Sequence, residues 1–389
     1  MDILTTTGPV RGSTTGKVTA FRGIPFAAAA RFQPPTRHPA WTQPRDATKP
    51  GPVAPQLPSR LAHVMGDHDA DWSEADCLNL NVWTPKTETT GTATKMPVLL
   101  WFHGGGFSSG GGGWDWYDGS ILTGKHDIVV VTANYRLGPL GYLYKPELGA
   151  NNLGAQDQQA ALRWVHDNIA AFGGDPNQIT VGGQSAGAYS SLYLAIDPAT
   201  KDLMHRIVLQ SGPWGLPPLD PEVASETADA FLKHLDADPL TAPVEQLLAA
   251  LVKVAKPGQP GPPLMPVLGG AGYPNKWQDA DLSGLNVLIG YTKDEMVAFS
   301  GAPDIFEQGV QAIAKASNAF AYRFDRTGPL GVPHCMELPY LFGTFDAFAG
   351  SPMLDPDAPR QTDFGDAVAQ FTKDGDPGWP HSPKFRYFV

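Results

Sequence analysis

Short apolar runs alternate along this chain with stretches whose apolar residues recur every third or fourth position. The runs cover residues 78–83, 98–102, 128–132, 179–182, 206–209, 286–291 and 320–324. Several hold almost no polar residue, as strands buried on both faces of a parallel sheet do. Helical periodicity covers 153–172, 186–196, 224–235, 244–254, 303–316 and 364–371. In the first of these, Leu162, Val165, Ile169 and Phe172 share one face, and Gly173-Gly174 supplies the stop. Strands alternating with helices predict a doubly wound α/β fold without internal repeats. Pro- and Gly-rich segments at 34–58, 213–221 and 257–274 predict loops, and no linker separates two domains.

Composition narrows the class. The chain has 389 residues, 42% hydrophobic and 17% charged, which suits a globular protein with a large core. With 43 Gly and 38 Pro, long ordered loops are expected around the sheet. A net charge of −11 with no basic run argues against nucleic acid and anionic membrane surfaces as partners. No apolar run approaches transmembrane length, and the first residues lack a leader's charged and apolar regions. Cys77 and Cys335 do not make a disulfide framework, so the expected setting is the reducing cytoplasm.

The chemistry centres on Gly183-Gln184-Ser185-Ala186-Gly187, between a β-branched run and a helix-compatible stretch. That is a strand–turn–helix able to hold a serine hydroxyl at the tip of a sheet. A second G-x-S-x-G, at Gly106–Gly110 around Ser108, is followed by more glycines and no helix, so Ser185 is preferred as nucleophile. A free serine is weak, so a base and an oxyanion site must accompany it. His103-Gly104-Gly105-Gly106-Phe107 follows the run 98–102 directly, and its backbone can approach a substrate closely. The N–H groups of Gly105, Gly106 and Ala186 are the expected oxyanion donors.

Where such a turn sits on a parallel sheet, the order along the chain is serine, acid, histidine. His334 and His381 are the histidines far enough downstream, and His334, in a loop after the run 320–324, is preferred. The acid should follow the run 286–291, which ends in Thr292-Lys293-Asp294-Glu295. Residue chemistry alone leaves Asp294 and Glu295 open.

These motifs resemble the type-B carboxylesterase/cholinesterase family of α/β-hydrolases. The resemblance runs from Phe21-Arg22-Gly23-Ile24-Pro25-Phe26 through Asp76–Trp83, His103–Phe107, Asn134–Gly138, Phe172–Pro176, the Ser185 turn and Leu209–Gly212. It ends with Gly290–Glu295, His334 and Gly375-Asp376-Pro377. It implies an α/β-hydrolase fold, with a central, mostly parallel twisted sheet flanked by helices. It also implies a triad of Ser185, Glu295 and His334, which selects the glutamate over Asp294. The family's arginine–aspartate pair would be Arg136 with Asp175. Gln184 stands where many relatives have Glu, which should weaken any preference for cationic substrates. Cys77 lacks the upstream partner of secreted relatives and is expected to be a free buried thiol.

Glu295 and His334 are 39 positions apart, much closer than in typical members. The expectation is one catalytic domain, 1–389, in which 213–285 and 296–333 are shortened lid-like insertions over an open site. Phe107, Trp114, Trp116, Gln184 and Trp214 are candidates for the substrate pocket, since aromatic walls are usual there. His63, Asp67, His68, Asp69 and Asp71 match no strong metal signature, and no metal or cofactor is implied. The reading is a serine carboxylesterase acting through an acyl-enzyme on a small-molecule ester, as a monomer or homodimer. An amide or carbamate hydrolase with the same triad is the first alternative. A non-catalytic binding protein of the same fold is the second.

Overall fold

A computed structural model describes residues 1–68, 70–86, 95–256, 261–299 and 304–389. Asp69 of the acidic cluster, 257–260 of the last Pro- and Gly-rich segment and Pro303 of the expected helix lie outside the described residues.

Among the described residues, ten strands form the main sheet. They are β1 (Ser13–Thr15), β2 (Val18–Pro25), β3 (Asn79–Pro85), β4 (Met96–Phe102), β5 (Val129–Ala133), β6 (Gly174–Gln184), β7 (Arg206–Gln210), β8 (Val287–Thr292), β9 (Phe320–Phe324) and β10 (Phe385–Phe388). Their spatial order is β10-β9-β8-β7-β6-β4-β5-β3-β2-β1. From β10 to β5 every neighbour is parallel; β3, β2 and β1 add antiparallel pairs at one side.

The apolar runs follow from burial on both faces. In β4, Val98, Leu100 and Phe102 join one core cluster, while Leu99 and Trp101 join the other. The first cluster takes in Leu162 and Val165 of α1 (Leu153–Asn168), Leu192 of α2 (Ala186–Ile196), and residues of α3 (Pro221–Leu235) and α4 (Val244–Val254). The second takes in Phe364, Val368 and Phe371 of α5 (Asp363–Asp374). Helices therefore cover both faces, which gives the doubly wound α/β-hydrolase arrangement.

The expected helix 153–172 is present, but its last turn tightens to a 3₁₀ turn at Ile169–Phe172, and Gly173 ends it at φ 84°. The expected helix 303–316 is observed as Glu307–Ser317. The antiparallel strands β1 and β2 and the terminal strand β10 were not expected from the sequence pattern.

Candidate active site

The carboxyl ends of the parallel strands carry the chemistry, as is usual for open α/β sheets. Ser185 follows β6 and precedes α2 with φ 56° and ψ −121°. A non-glycine residue in that region is strained, and such strain is tolerated where it aims a functional side chain. Its glycines are required by space. A Cβ on Gly187 would stand 2.0 Å from the Phe102 carbonyl oxygen, and one on Gly183 would stand 2.4 Å from the Gly187 carbonyl carbon. Ser185 is 7% exposed and opens on a cavity of about 670 Å³.

Glu295 follows β8 by three positions. Its Oε1 accepts the Thr292 N–H at 2.9 Å, and its Oε2 lies 2.5 Å from Nδ1 of His334. Asp294, the other candidate, accepts the Val332 N–H through Oδ2 at 2.9 Å. The two neighbouring carboxylates thus hold one loop at different points, and only Glu295 reaches the imidazole. His334 has no exposed surface and packs between the rings of Phe299 and Phe306, with centroids at 5.1 and 5.0 Å. Its Nε2 lies 3.1 Å from Nε2 of Gln184. Among the described residues, no hydrogen bond joins Ser185 Oγ to that nitrogen.

The glycine loop after β4 lines the same cavity. Gly105, Gly106 and Ala186 all reach its wall, and among the described residues the N–H groups of Gly105 and Gly106 have no acceptor. His103 explains the orientation of one of them. Its Nδ1 lies 2.8 Å from the Gly104 carbonyl oxygen. In a trans peptide the carbonyl and the next N–H point in opposite directions, so holding Gly104 O away turns the Gly105 N–H outward. Burial lowers the His103 pKa to about 4, so it is neutral near pH 7. The hydroxyl of Ser108, the decoy, donates to the Gly106 carbonyl of its own loop at 3.1 Å.

Sequence reasoning gave Glu337 no role, yet it is fully buried beside the dyad. Burial and the nearby Glu295 raise its pKa to about 7. Ser211 Oγ–H donates to its Oε1 at 3.0 Å, and its Oε2 has no partner among the described residues. A carboxylic acid three positions after the histidine carried no signal of its own, because only burial distinguishes it.

Phe107 lines the cavity, braced by Tyr142 and Tyr189. Trp114, Trp116 and Trp214 are placed away from its wall. Trp114 stacks on His68 with centroids at 4.2 Å, Trp116 stacks on Phe348, and Trp214 stacks on Tyr189. Nearness in sequence to the glycine loop, or for Trp214 to the end of β7, did not put these rings on the cavity side. Gln184 touches the site through His334 and is absent from the cavity wall.

The expected Arg136–Asp175 pair is not formed. Arg136 instead forks onto Asp157 of α1, with Nη2 2.7 Å from Oδ1 and Nε 2.8 Å from Oδ2, both residues buried. The topology gives the reason. Arg136 follows the carboxyl end of β5, whereas Asp175 begins β6, and parallel strands put those positions at opposite edges of the sheet. Asp175 binds Gln178 and the Asn177 N–H instead.

Cys77 and Cys335 are both buried and unpaired, and burial pushes the Cys77 thiol up to about 12. His381 is exposed and stacks on Phe320. Among the described residues there is no cluster of three metal-ligating side chains, and no helix is long and apolar enough to cross a membrane.

Comparison with known proteins agrees with this geometry. A model of the Carboxylesterase family matches residues 2–312, which stops short of His334. The probable N-octanoylanthranilate hydrolase of Rhodococcus erythropolis is 38% identical over 98% of this chain and 95% of its own length. Phenmedipham hydrolase of Pseudarthrobacter oxydans is 32% identical over 99% and 92%. Among solved structures, a thermophilic PNB esterase superposes with a TM-score of 0.86 at 30% identity, covering 98% of this chain and 93% of that one. The chain belongs to the carboxylesterase family and is a carboxylic ester hydrolase.

Proposed function

We propose that Ser185, His334 and Glu295 carry out ester hydrolysis through an acyl-enzyme. The observation that supports it best is the 2.5 Å contact of Glu295 with His334 Nδ1, next to a serine held in a left-handed turn. Nδ1–H faces the carboxylate, so Nε2 carries the lone pair of a base, toward which the Gln184 amide nitrogen now points at 3.1 Å. His334 Nε2 takes the Ser185 proton as Oγ attacks the ester carbonyl. The oxyanion is held by the N–H groups of Gly105, Gly106 and Ala186, the last being a first-turn helix donor without an intrahelical acceptor. His334 then protonates the leaving alcohol. In the second half it deprotonates water as water attacks the acyl carbon, then returns that proton to Ser185 Oγ as the acyl–oxygen bond breaks and the acid leaves.

Segments 213–285 and 296–333 are proposed as reduced lid-like insertions of a catalytic domain spanning 1–389. Both contribute to the cavity wall, the first through Leu216, Leu251 and Met265, the second through Ala298, Phe299 and Phe306. The alignment with the Rhodococcus relative runs over 439 residues against 389 in this chain, so that protein holds additional ones. The free thiols of Cys77 and Cys335 support a reducing, cytoplasmic setting.

A second reading, an amide hydrolase with the same triad, is favoured by the N-acyl bond in that relative's name. Paired ester and anilide substrates decide between the two. For the triad, Ser185→Ala should abolish both turnover and covalent labelling by an organophosphate. Labelling that persists in the variant would falsify the assignment.

A further inference from the structure

Arg60 stands on the rim of the cavity above Ser185, and it is the one cationic side chain among the described residues of that wall. Among the described residues, no carboxylate lines the wall with it. Other arginines in this protein have found one: Arg31, Arg136, Arg323 and Arg360 each pair with Glu74, Asp157, Asp325 and Asp346 respectively. Among the described residues, the Arg60 guanidinium has no hydrogen bond and no ion pair. It is open to solvent at the rim, yet the surrounding protein removes enough water to lower its pKa, with no charged partner to offset the loss.

Its position is informative. A Cβ built on Gly106 would lie 3.8 Å from Arg60 Nη2 and would meet nothing else within 4 Å. The guanidinium therefore reaches over open space beside a proposed oxyanion donor. Away from it, the cavity is walled by Leu216, Leu251, Val252, Met265 and Phe306. The site thus offers apolar walls and, beside a proposed oxyanion donor, one planar cation without a carboxylate partner. A guanidinium fork matches a carboxylate through two parallel hydrogen bonds.

We propose that Arg60 binds a carboxylate carried by the substrate near the scissile bond. The preferred substrates are then esters with one apolar arm and one acidic arm. The proposal rests on Ser185 being the nucleophile, since the cavity is defined by its opening. Arg60 is a specificity residue: it selects which ester sits productively and takes no part in proton transfer.

The test compares wild type, Arg60→Gln and Arg60→Lys on three esters: phenyl butyrate, meta-carboxyphenyl butyrate and the monophenyl ester of adipic acid. The last two carry the acid on the alcohol side and the acyl side respectively. Arg60→Gln should lower kcat/KM for one of them by roughly tenfold or more, chiefly through KM, while phenyl butyrate stays within about twofold. The ester that suffers identifies the arm. Arg60→Lys should recover part of the loss, because it keeps the charge but not the fork. An unchanged rate on both acidic esters overturns the proposal. So does an equal loss on phenyl butyrate, which would make Arg60 a support of the loop. Wild type inactive on all three esters would sink the esterase mechanism, and this proposal with it.

Discussion

Nε2 of Gln184 lies 3.1 Å from Nε2 of His334, the imidazole nitrogen that Glu295 leaves free. Gly104 makes this approach possible, since a Cβ there would stand 2.7 Å from Gln184 Oε1. Under the proposed mechanism the amide occupies the position from which His334 would serve Ser185. Catalytic hydrogen bonds often tighten only when substrate is bound, so in that mechanism Gln184 gives up this nitrogen during turnover.

Replacing that amide with a carboxylate gives the first prediction. In Gln184→Glu a negative charge beside Nε2 favours the imidazolium, which cannot take the Ser185 proton. Under the proposed mechanism kcat/KM for a neutral ester should therefore fall by roughly threefold or more at neutral pH. An ester assay of the variant measures it, and an unchanged kcat/KM would argue against His334 Nε2 as the base.

Ser185 itself sets stability against turnover. In Ser185→Gly the left-handed backbone is no longer strained, which should raise unfolding stability by about 1 kcal/mol after the entropy of a freer unfolded chain is counted. Ester turnover should fall by a factor on the order of 10⁴ or more. Denaturant unfolding alongside an ester assay reads both, and a less stable glycine variant would contradict the strain argument.

Glu337 makes stability depend on pH. Its folded pKa, about 7, is raised above the ordinary 4.5, so folding favours the protonated form. This contribution is complete below 4.5 and is lost as pH rises through about 7. Glu337→Gln keeps the shape and cannot ionise. Its Tm should gain on wild type between about pH 5 and about pH 8, and a constant difference across that range would remove Glu337 as the cause.

The arginine pair offers a contrast between two aspartates. Asp157→Ala leaves Arg136 charged and buried, and should cost roughly 3–5 kcal/mol. Asp175→Ala, at the surface, should cost less than about 1 kcal/mol. Equilibrium unfolding of both variants checks the pairing, and equal losses would argue against it.

Periodicity made much of the framework legible. The helices Ala186–Ile196 and Val244–Val254 and the strand Phe320–Phe324 lie where their patterns put them, because each buries a whole face or both faces. Strand β2 was not legible: Gly23 and polar positions interrupt it, and its register shifts between Phe21 and Ile24. Strand β10 is short, with two exposed residues, so no alternation marks it. At the site, chain order pointed to His334 and the family likeness to Glu295, and these two side chains meet, whereas Ser185 Oγ makes no hydrogen bond to His334 among the described residues. The partner of Arg136 was misjudged because sequence does not say which edge of the sheet a residue reaches. Arg60 and Glu337 were passed over because what sets them apart, a missing carboxylate partner for the one and full burial for the other, is revealed only by three-dimensional packing.

The proposed oxyanion loop, the serine turn and the proposed acid all hang from the ends of β4, β6 and β8, inside a sheet covered on both faces. Amides in such strands exchange their hydrogens only through the rarest, most global openings. The site therefore has little scope to melt alone, and on warming the protein should lose its chemistry and its slowest-exchanging hydrogens together, as one cooperative event.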